Sequence, residues 1–477
     1  MTVPGILWVT RDFRLRDNPA LLAAIADGPL LPLFFIDRLL MAQGAASRWR
    51  LARALVTFDK ALKARTDGCG LTILRGEPDE LLPVLMQRIG ARRLHQTDWP
   101  APSMRALQQR TRKALKGTGE LILHPGHLLV APDTVRTGTG GVYRVYSPFA
   151  RALRRRGPDS PVPDAPARIT GFTEAPEGID PTSLNLAPEL QCGRAALERF
   201  ALPVGEETAL ARLDEFLGRV ADYPSKRDRP DLTATSNLSE NLALGEISPR
   251  TIWAIASHRA EETPNQMVGI DKFLSELMWR EFAWHLLIDF PKMEDACWRP
   301  EWEAFPWQKQ SAGLQGWQRA ETGVALVDAG LREMWLTGRM HNRVRMVAAS
   351  WLTKNLLIDW RAGLAHFADC LTDWDPAANA MNWQWVAGCG PDAAPFFRIF
   401  NPERQAEQFD PAGNYRRRWL AGFDGAPGAE ASVWAEAIPR AWRAAPLWRP
   451  GPLSATTEGR ARALAALEEF NASKSSA

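Results

Sequence analysis

The stretch Ile6-Leu-Trp-Val-Thr10, followed by Pro19-Ala-Leu-Leu-Ala-Ala-Ile-Ala26 and Leu31-Pro-Leu-Phe-Phe-Ile36, decides how the first part of the chain folds. A short apolar run, a helical run and a second apolar run in succession make a strand–helix–strand unit. The pattern repeats. Leu71–Leu74, Arg93–Thr97 and Leu121–His124 are further strand candidates, and Arg48–Arg65, Glu77–Ile89 and Met104–Lys116 have helical periodicity. Strands separated by single helices predict a parallel sheet covered on both faces, an α/β domain over residues 1–130. Thr10-Arg-Asp12, the turn after the first strand, has no glycine fingerprint, so a Rossmann-style dinucleotide site is not expected there.

Between Arg154 and Pro203 the prolines at 158, 161, 163, 166, 176, 181 and 188 interrupt regular structure, and residues 131–205 read as a connector. Beyond Glu206 strand signals nearly vanish. Ala209–Ala221, Pro249–His258, Lys272–Ile288, Val327–Leu336, Met340–Asn355 and Ala362–Cys370 read as helices, as does the tail Thr456–Phe470, so residues 206–477 form a larger all-α domain. Of 20 tryptophans only Trp8, Trp49 and Trp99 precede residue 253, and most of the others fit an aromatic-rich helical core.

The 477 residues carry 58 basic and 55 acidic side chains, a balance that neither demands nor forbids a polyanion partner. No apolar run is long enough for a membrane span, and the first residues have no signal-peptide character. The five cysteines, Cys69, Cys192, Cys297, Cys370 and Cys389, form no close pair of metal-ligating spacing, so no metal is expected. An odd number without a secretory signal points to the cytoplasm.

Chemistry concentrates in four places. In Met340–Asn355, the residues Asn342, Arg345, Met346 and Ala349 share one helix face, and Asp373 or Asp375 could neutralise Arg345; a structural ion pair is the plainer reading. Glu276, Trp279 and Arg280 share another face, suited to a base or flat ligand or, more plainly, to an i,i+4 pair on a solvated surface. Asn379-Ala-Met-Asn-Trp383-Gln-Trp385 is followed by Asp392-Ala-Ala-Pro-Phe-Phe-Arg398-Ile-Phe-Asn401-Pro402. Thr235-Ser-Asn-Leu-Ser239 could cap the next helix or meet a phosphate.

Taken together, these segments resemble the photolyase/cryptochrome family of flavoproteins. Glu276-Leu-Met-Trp-Arg-Glu-Phe282, Thr337-Gly-Arg-Met-His-Asn-Arg-Val-Arg-Met346 and Leu356-Leu-Ile-Asp-Trp360 carry the resemblance, with Thr235–Ser239, Asn379–Trp385 and Asp392–Pro402. Arg11-Asp-Phe-Arg-Leu-Arg-Asp-Asn18 and Tyr143-Arg-Val-Tyr-Ser-Pro-Phe149 agree in the first half. The pattern is most like a class I-type cyclobutane pyrimidine dimer photolyase, a cytoplasmic monomer that repairs UV-damaged DNA.

The resemblance implies FAD in the helical domain. Tyr223 and Thr235, Ser236, Asn237, Leu238 and Ser239 would take its phosphates and ribityl chain, Arg345, Asp373 and Asp375 would border its ring, Asn379 would face N5, and Asn342 would also contact the cofactor. Trp383, Trp360 and Trp307 match the electron-transfer chain, with Trp317 as the competing choice for the outermost position. Glu276 would hydrogen-bond a flipped pyrimidine pair between Trp279 and Trp385. Asn342 and Met346 fit the cyclobutane-dimer pattern, since the (6-4) branch usually has a second histidine where Asn342 stands. Arg227, Arg280, Arg343, Arg398 and Gln405, with Asn342, are candidate DNA contacts. Glu240 departs from a frequent proline, and Phe273 and Arg339 from frequent tryptophans. Asp98-Trp-Pro-Ala-Pro-Ser lacks the usual Tyr–Glu pattern, which leaves open a second antenna chromophore, methenyltetrahydrofolate or a deazaflavin. The alternatives are a cryptochrome-type blue-light photoreceptor without repair and a nucleic-acid-binding helical protein without cofactor.

Overall fold

The computed structural model describes residues 3–308, 312–392, 398–443, 445, 447–451 and 454–475. Five parallel strands, β1 (Gly5–Trp8), β2 (Leu30–Ile36), β3 (Thr72–Arg75), β4 (Arg93–Thr97) and β5 (Glu120–His124), lie in the order β3-β2-β1-β4-β5. Helices Pro19–Asp27, Ala45–Arg65, Pro78–Ile89 and Pro102–Ala114 alternate with them. Every residue of β2 is buried, as a strand covered on both faces requires. Asn18 caps the first helix through Leu21 N at 3.0 Å, and Pro19 follows where its missing N–H costs nothing.

The strand order reverses beside β1, where ligands commonly bind in such sheets. Here the loop after β1 is filled by its own charges. Asp12 accepts from Thr10 N at 3.0 Å and Thr97 Oγ1 at 2.8 Å, and Arg14 donates to the carbonyls of Asp17, Gly126 and Gly245. This agrees with the missing glycine fingerprint.

The chain forms two compact units. The first comprises Met1–Ala187, Pro203–Tyr223 and Ser236–Pro291; the second comprises Pro188–Leu202, Pro224–Thr235 and Lys292–Ala477. In the first unit, buried arginines stitch residues near 240–250 to the sheet domain. Arg50, 1% exposed, pairs with Glu240 at 3.3 Å and Glu246 at 2.6 Å, and Arg250 meets Asp17 at 2.6 Å. Gly245 takes a left-handed φ of 67°, and a Cβ there would stand 1.9 Å from the Arg11 carbonyl oxygen. Only glycine fits. Glu240, the departure from proline, thus serves as one of two carboxylates for a buried guanidinium.

The second unit is helical and built on aromatics. Its core includes Trp302, Trp317, Trp351, Trp360, Trp383, Trp419 and Trp434, with Trp307 and Trp385 packed against it. Two local readings need correction. Met340–Asn355 is not a uniform α-helix: His341 is the cap, Asn342–Ser350 is α-helical, and Trp351–Asn355 widens into a π-helical turn closed by Leu356 N on Trp351 O at 3.1 Å. A widened turn leaves no break in apolar periodicity, so sequence reading misses it. The proline-rich connector also contains a helix, Arg194–Phe200, which packs into the second unit through Ala196.

Candidate functional site

The helix Ala325–Thr337 ends at Gly338, whose φ of 69° turns the chain. Thr372 donates both N and Oγ1 to the Gly338 carbonyl at 2.9 Å, which ties the loop carrying Asp373 to this corner. A side chain at Gly338 would collide with Thr372. Arg345, one helical turn beyond the corner, donates to both Asp373 oxygens at 2.9 and 3.1 Å and, through Nε, to Met340 O at 2.8 Å. Of the two carboxylates considered for Arg345, Asp373 therefore pairs with it. Asp375 caps the helix Pro376–Ala387 through Ala378 N at 2.8 Å.

His341 determines how this helix begins. Its Nδ1 accepts from Arg343 N at 3.2 Å, so Nε2 carries the hydrogen and donates to Arg227 O at 3.0 Å. Burial pushes its pKa down to about 4, which keeps the ring in the neutral form this double role requires. Arg343 bonds Asp228 at 2.9 Å and lies over the Phe409 ring. Asn342 and Met346 meet along one helix face, with Nδ2 4.0 Å from the sulfur.

Asn379 lies on the Pro376–Ala387 helix, which packs against the Asn342–Ser350 helix. Its Nδ2 donates to Leu364 O at 3.1 Å, which orients Oδ1 as an acceptor. Trp383, on the same helix, is buried edge-on against Phe367 at 4.9 Å and Trp317 at 6.1 Å. Trp360 is fully buried, and Trp307 lies on Phe305 at 4.4 Å. The four tryptophans share one core. Trp317 donates its indole N–H to Ala348 O at 3.0 Å, whereas the N–H groups of Trp307 and Trp360 have no hydrogen-bond partner among the described residues. Trp385 donates to Asp392 O at 3.3 Å, and the exposed Arg398 approaches its ring. Gln405 has a buried Oε1 without a partner among the described residues. Arg339, standing where tryptophan is frequent, straps the Phe200 carbonyl at 3.1 Å. Thr235 is half-buried, and Ala393–Phe397 of the last motif lies outside the described residues.

The remaining expected residues belong to the first unit. Tyr223 is buried edge-on against Phe216 at 5.3 Å, with Phe273 beside it. Ser236 is half-buried, Leu238 is buried, and Asn237 and Ser239 are exposed. Asn237 holds a φ of 53°, a conformation that asparagine tolerates better than most residues. On the helix Met267–Asp289, Glu276 pairs with Lys272 at 2.8 Å. Trp279 stacks face to face on Tyr146, centroids 3.6 Å apart, and Tyr146 donates to Ser275 O at 2.9 Å. Arg280 donates to His127 O and meets His127 Nε2, each at 3.0 Å. Lys272 is thus an i,i+4 partner of Glu276 that the sequence reading did not name. Tyr146, absent from the expected site, gives Trp279 its orientation; it lies in the Tyr143–Phe149 motif, where sequence could have flagged it.

Residues 273–468 match the family described as the FAD binding domain of DNA photolyase, and residues 5–167 match DNA photolyase. The chain belongs to the DNA photolyase family. It is 39% identical over 424 residues to the deoxyribodipyrimidine photo-lyase of Agrobacterium fabrum, spanning 88% of this chain and 87% of that one. The enzyme of the same name from Thermus thermophilus is 37% identical over 87% of this chain and 92% of its own. Among solved structures, a class III photolyase from Agrobacterium tumefaciens superposes with a TM-score of 0.86 at 36% identity, covering 99% of this chain and 98% of that chain. A Synechocystis cryptochrome gives 0.83 at 25% identity, with 96% and 99% covered.

The chemistry present suits the flavin of this family. A reduced flavin ring gains from a cation near its electron-rich edge and from a hydrogen-bond partner at N5. The half-buried Arg345–Asp373 pair and the oriented Asn379 amide, on adjacent helices, have that character. No helix among the described residues is long and apolar enough to cross a membrane, and none of their His, Cys, Asp and Glu side chains group as a metal site.

Proposed function

We propose that the protein is a deoxyribodipyrimidine photo-lyase that repairs cyclobutane pyrimidine dimers in UV-damaged DNA. The observation that carries this reading is the Arg345–Asp373 pair beside Asn379, within a chain that resembles photo-lyases over most of its length. FAD held there would supply light-driven electron transfer to and from the cyclobutane ring.

The chain's own residues bind, orient and exclude water. Arg345 balances negative charge on the flavin ring, Asp373 holds the guanidinium in place, and Asp375 orders the helix that carries Asn379. The Asn379 Oδ1, oriented as an acceptor, would take a hydrogen bond from the flavin ring. Tyr223 and Thr235, Ser236, Asn237, Leu238 and Ser239 hold the phosphates and ribityl chain. Trp383, Trp360 and Trp307 relay electrons in short hops. For the lesion, Glu276 hydrogen-bonds the paired pyrimidines, Trp279 and Trp385 offer flat faces, and Asn342 and Met346 complete the contact. Arg227, Arg280, Arg343, Arg398 and Gln405 meet the DNA around it, so binding weakens as salt rises.

In this reading residues 1–130 form the antenna domain, 131–205 the connector and 206–477 the FAD- and DNA-binding domain of a cytoplasmic monomer. A class I-type assignment rests on the sequence pattern alone and stands beside a class III structural relative. A second antenna chromophore, methenyltetrahydrofolate or a deazaflavin, stays outside the proposal.

The cryptochrome-type sensor is the second reading, motivated by the Synechocystis likeness. Illuminating the reduced protein with cyclobutane-dimer and (6-4) oligonucleotides separates the two. Loss of the cyclobutane dimer alone supports repair, and no loss of either lesion favours the sensor. Glu276→Ala should slow dimer splitting and leave FAD bound; an unchanged rate would remove Glu276 from the lesion contact.

A further inference from the structure

Two cysteines far apart in sequence are brought together deep in the second unit. Cys297 is 6% exposed and Cys389 fully buried, and both are free thiols. Gln384 joins the segments that carry them. Its Oε1 accepts from Trp298 N at 2.6 Å and lies 3.7 Å from the Cys389 sulfur, while Nε2 donates to Met293 O at 2.7 Å and Ala296 O at 3.0 Å. Arg299 N closes the arrangement on Cys389 O at 3.2 Å. Gln384 Oε1 thus meets both the Cys389 sulfur and the backbone N–H of the residue after Cys297, and each thiol influences the ionisation of the other.

The surroundings of Cys297 are those of an electron donor. Arg361 Nη2 lies 3.9 Å from its sulfur. The same guanidinium lies over the ring of the fully buried Trp360, 4.7 Å from its centroid, so Arg361 bridges the thiol and the indole. The adjacent Cys389, with help from Arg361, holds the Cys297 thiol below its usual pKa against the effect of burial. Burial and the Cys297 sulfur push Cys389 the other way. Of the pair, Cys297 ionises first and Cys389 keeps its proton. Cys370 is the internal contrast: it is equally buried, beside His366, and burial pushes its thiol far up. An ordinary core cysteine behaves like Cys370.

We propose that the Cys297–Cys389 dithiol donates electrons to oxidised Trp360 and is converted to a disulfide as it does so. The proposal rests on the reading of Trp360 as an electron relay. In the first step the Cys297 thiolate gives one electron to the oxidised indole, restoring Trp360 and leaving a thiyl. Cys389 then loses its proton as the sulfur–sulfur bond begins to form. The buried Lys354 amine, which burial disfavours as a cation and which bonds the Ala387 carbonyl two residues before Cys389, is the base at hand. A second oxidation of Trp360 takes the remaining electron. In total two thiols lose two electrons and two protons, one S–S bond forms, and Trp360 is restored twice. Any dithiol reductant reverses the change.

The test illuminates the full-length FAD-loaded protein without air or added reductant, then alkylates free thiols and maps them by mass spectrometry. A Cys297–Cys389 disulfide should appear with light and not in the dark, with Cys69 and Cys370 still alkylated. In Cys297→Ser the transient absorption of oxidised tryptophan should persist several-fold longer, and in Cys370→Ser it should not change. If the wild-type thiols stay fully alkylatable while the flavin becomes reduced, the proposal falls, whatever the folding of the variants. Trp360→Phe separates the two layers. Photoreduction at the wild-type rate in that variant overturns the relay reading itself. Its loss, with wild-type thiols intact, leaves the relay standing and removes only the sulfur pair.

Discussion

The two compact units solve the problem of a large interior in opposite ways. In the first, buried charges are matched in detail: Arg50 with Glu240 and Glu246, Arg250 with Asp17, Arg14 with three carbonyls. In the second, the interior is largely indole, and the N–H groups of Trp307, Trp360, Trp419 and Trp434 are buried without hydrogen bonds among the described residues. A buried donor without a partner costs stability. The second unit accepts that cost four times over in a core that is otherwise well packed. One interior is specified by the geometry of charge, the other by aromatic volume. An apolar, weakly hydrogen-bonded aromatic core also suits the passage of electrons, because little around it must reorganise when charge moves.

The contrast is most exposed at Arg50. Replacing it with leucine removes the shared cation of two buried carboxylates, and urea unfolding should show a loss of about 3–5 kcal/mol. A loss below about 1 kcal/mol would mean that the charge matching is incidental.

A smaller effect is expected from pH, on one helix of the first unit. Glu281 accepts from Leu129 N and Val130 N, and burial raises its pKa to about 7; His285 accepts from Tyr143 N, and burial lowers its pKa to about 4. The raised carboxyl contributes stability that is complete below about pH 4.5 and lost as pH rises to about 7. The lowered imidazole contributes stability that is complete above about pH 6.5 and lost as pH falls to about 4. Across that window the two oppose each other. His285→Gln should therefore gain roughly 2–3 kcal/mol on acidification from pH 7 to 4.5 relative to wild type, and Glu281→Gln should lose a similar amount. Thermal unfolding at several pH values measures both, and equal slopes in the two variants would refute the pairing.

The smallest effect concerns the aromatic side of the comparison. Trp317→Phe gives up a hydrogen bond to Ala348 O that Trp360→Phe does not have to lose. Trp317→Phe should cost about 1 kcal/mol more in denaturant unfolding, while Trp360→Phe should have the larger effect on light-driven flavin reduction. Equal stability losses would show that the missing partner at Trp360 has no energetic meaning.

Much of the fold is legible in the sequence. Every strand of the sheet lies within a residue or two of its expected ends; β1, β2 and β3 are legible as short apolar runs, as a strand covered on both faces favours, whereas β4 buries His95, Gln96 and Thr97. The segments holding Arg345, Asp373, Asn379 and Trp383 are identifiable because their motifs are long and ordered. What escapes are relations between distant residues. Periodicity does not reveal that Asp373 rather than Asp375 meets Arg345, that Tyr146 lies under Trp279, or that Lys272 takes Glu276. Nor does it reveal a π-helical turn, which keeps the apolar pattern of an α-helix while changing where side chains point.

Contiguous residues are thus enough to specify the α/β and helical halves, the family and the segments that carry its chemistry, because each has a local physical cause. The pairings come from the folded chain alone. Arg50 finds Glu246, Cys297 finds Cys389 and Thr372 finds Gly338 across long stretches of chain. Such partners are chosen by burial, where an unmatched charge or donor costs more than the chain entropy of bringing its match from far away.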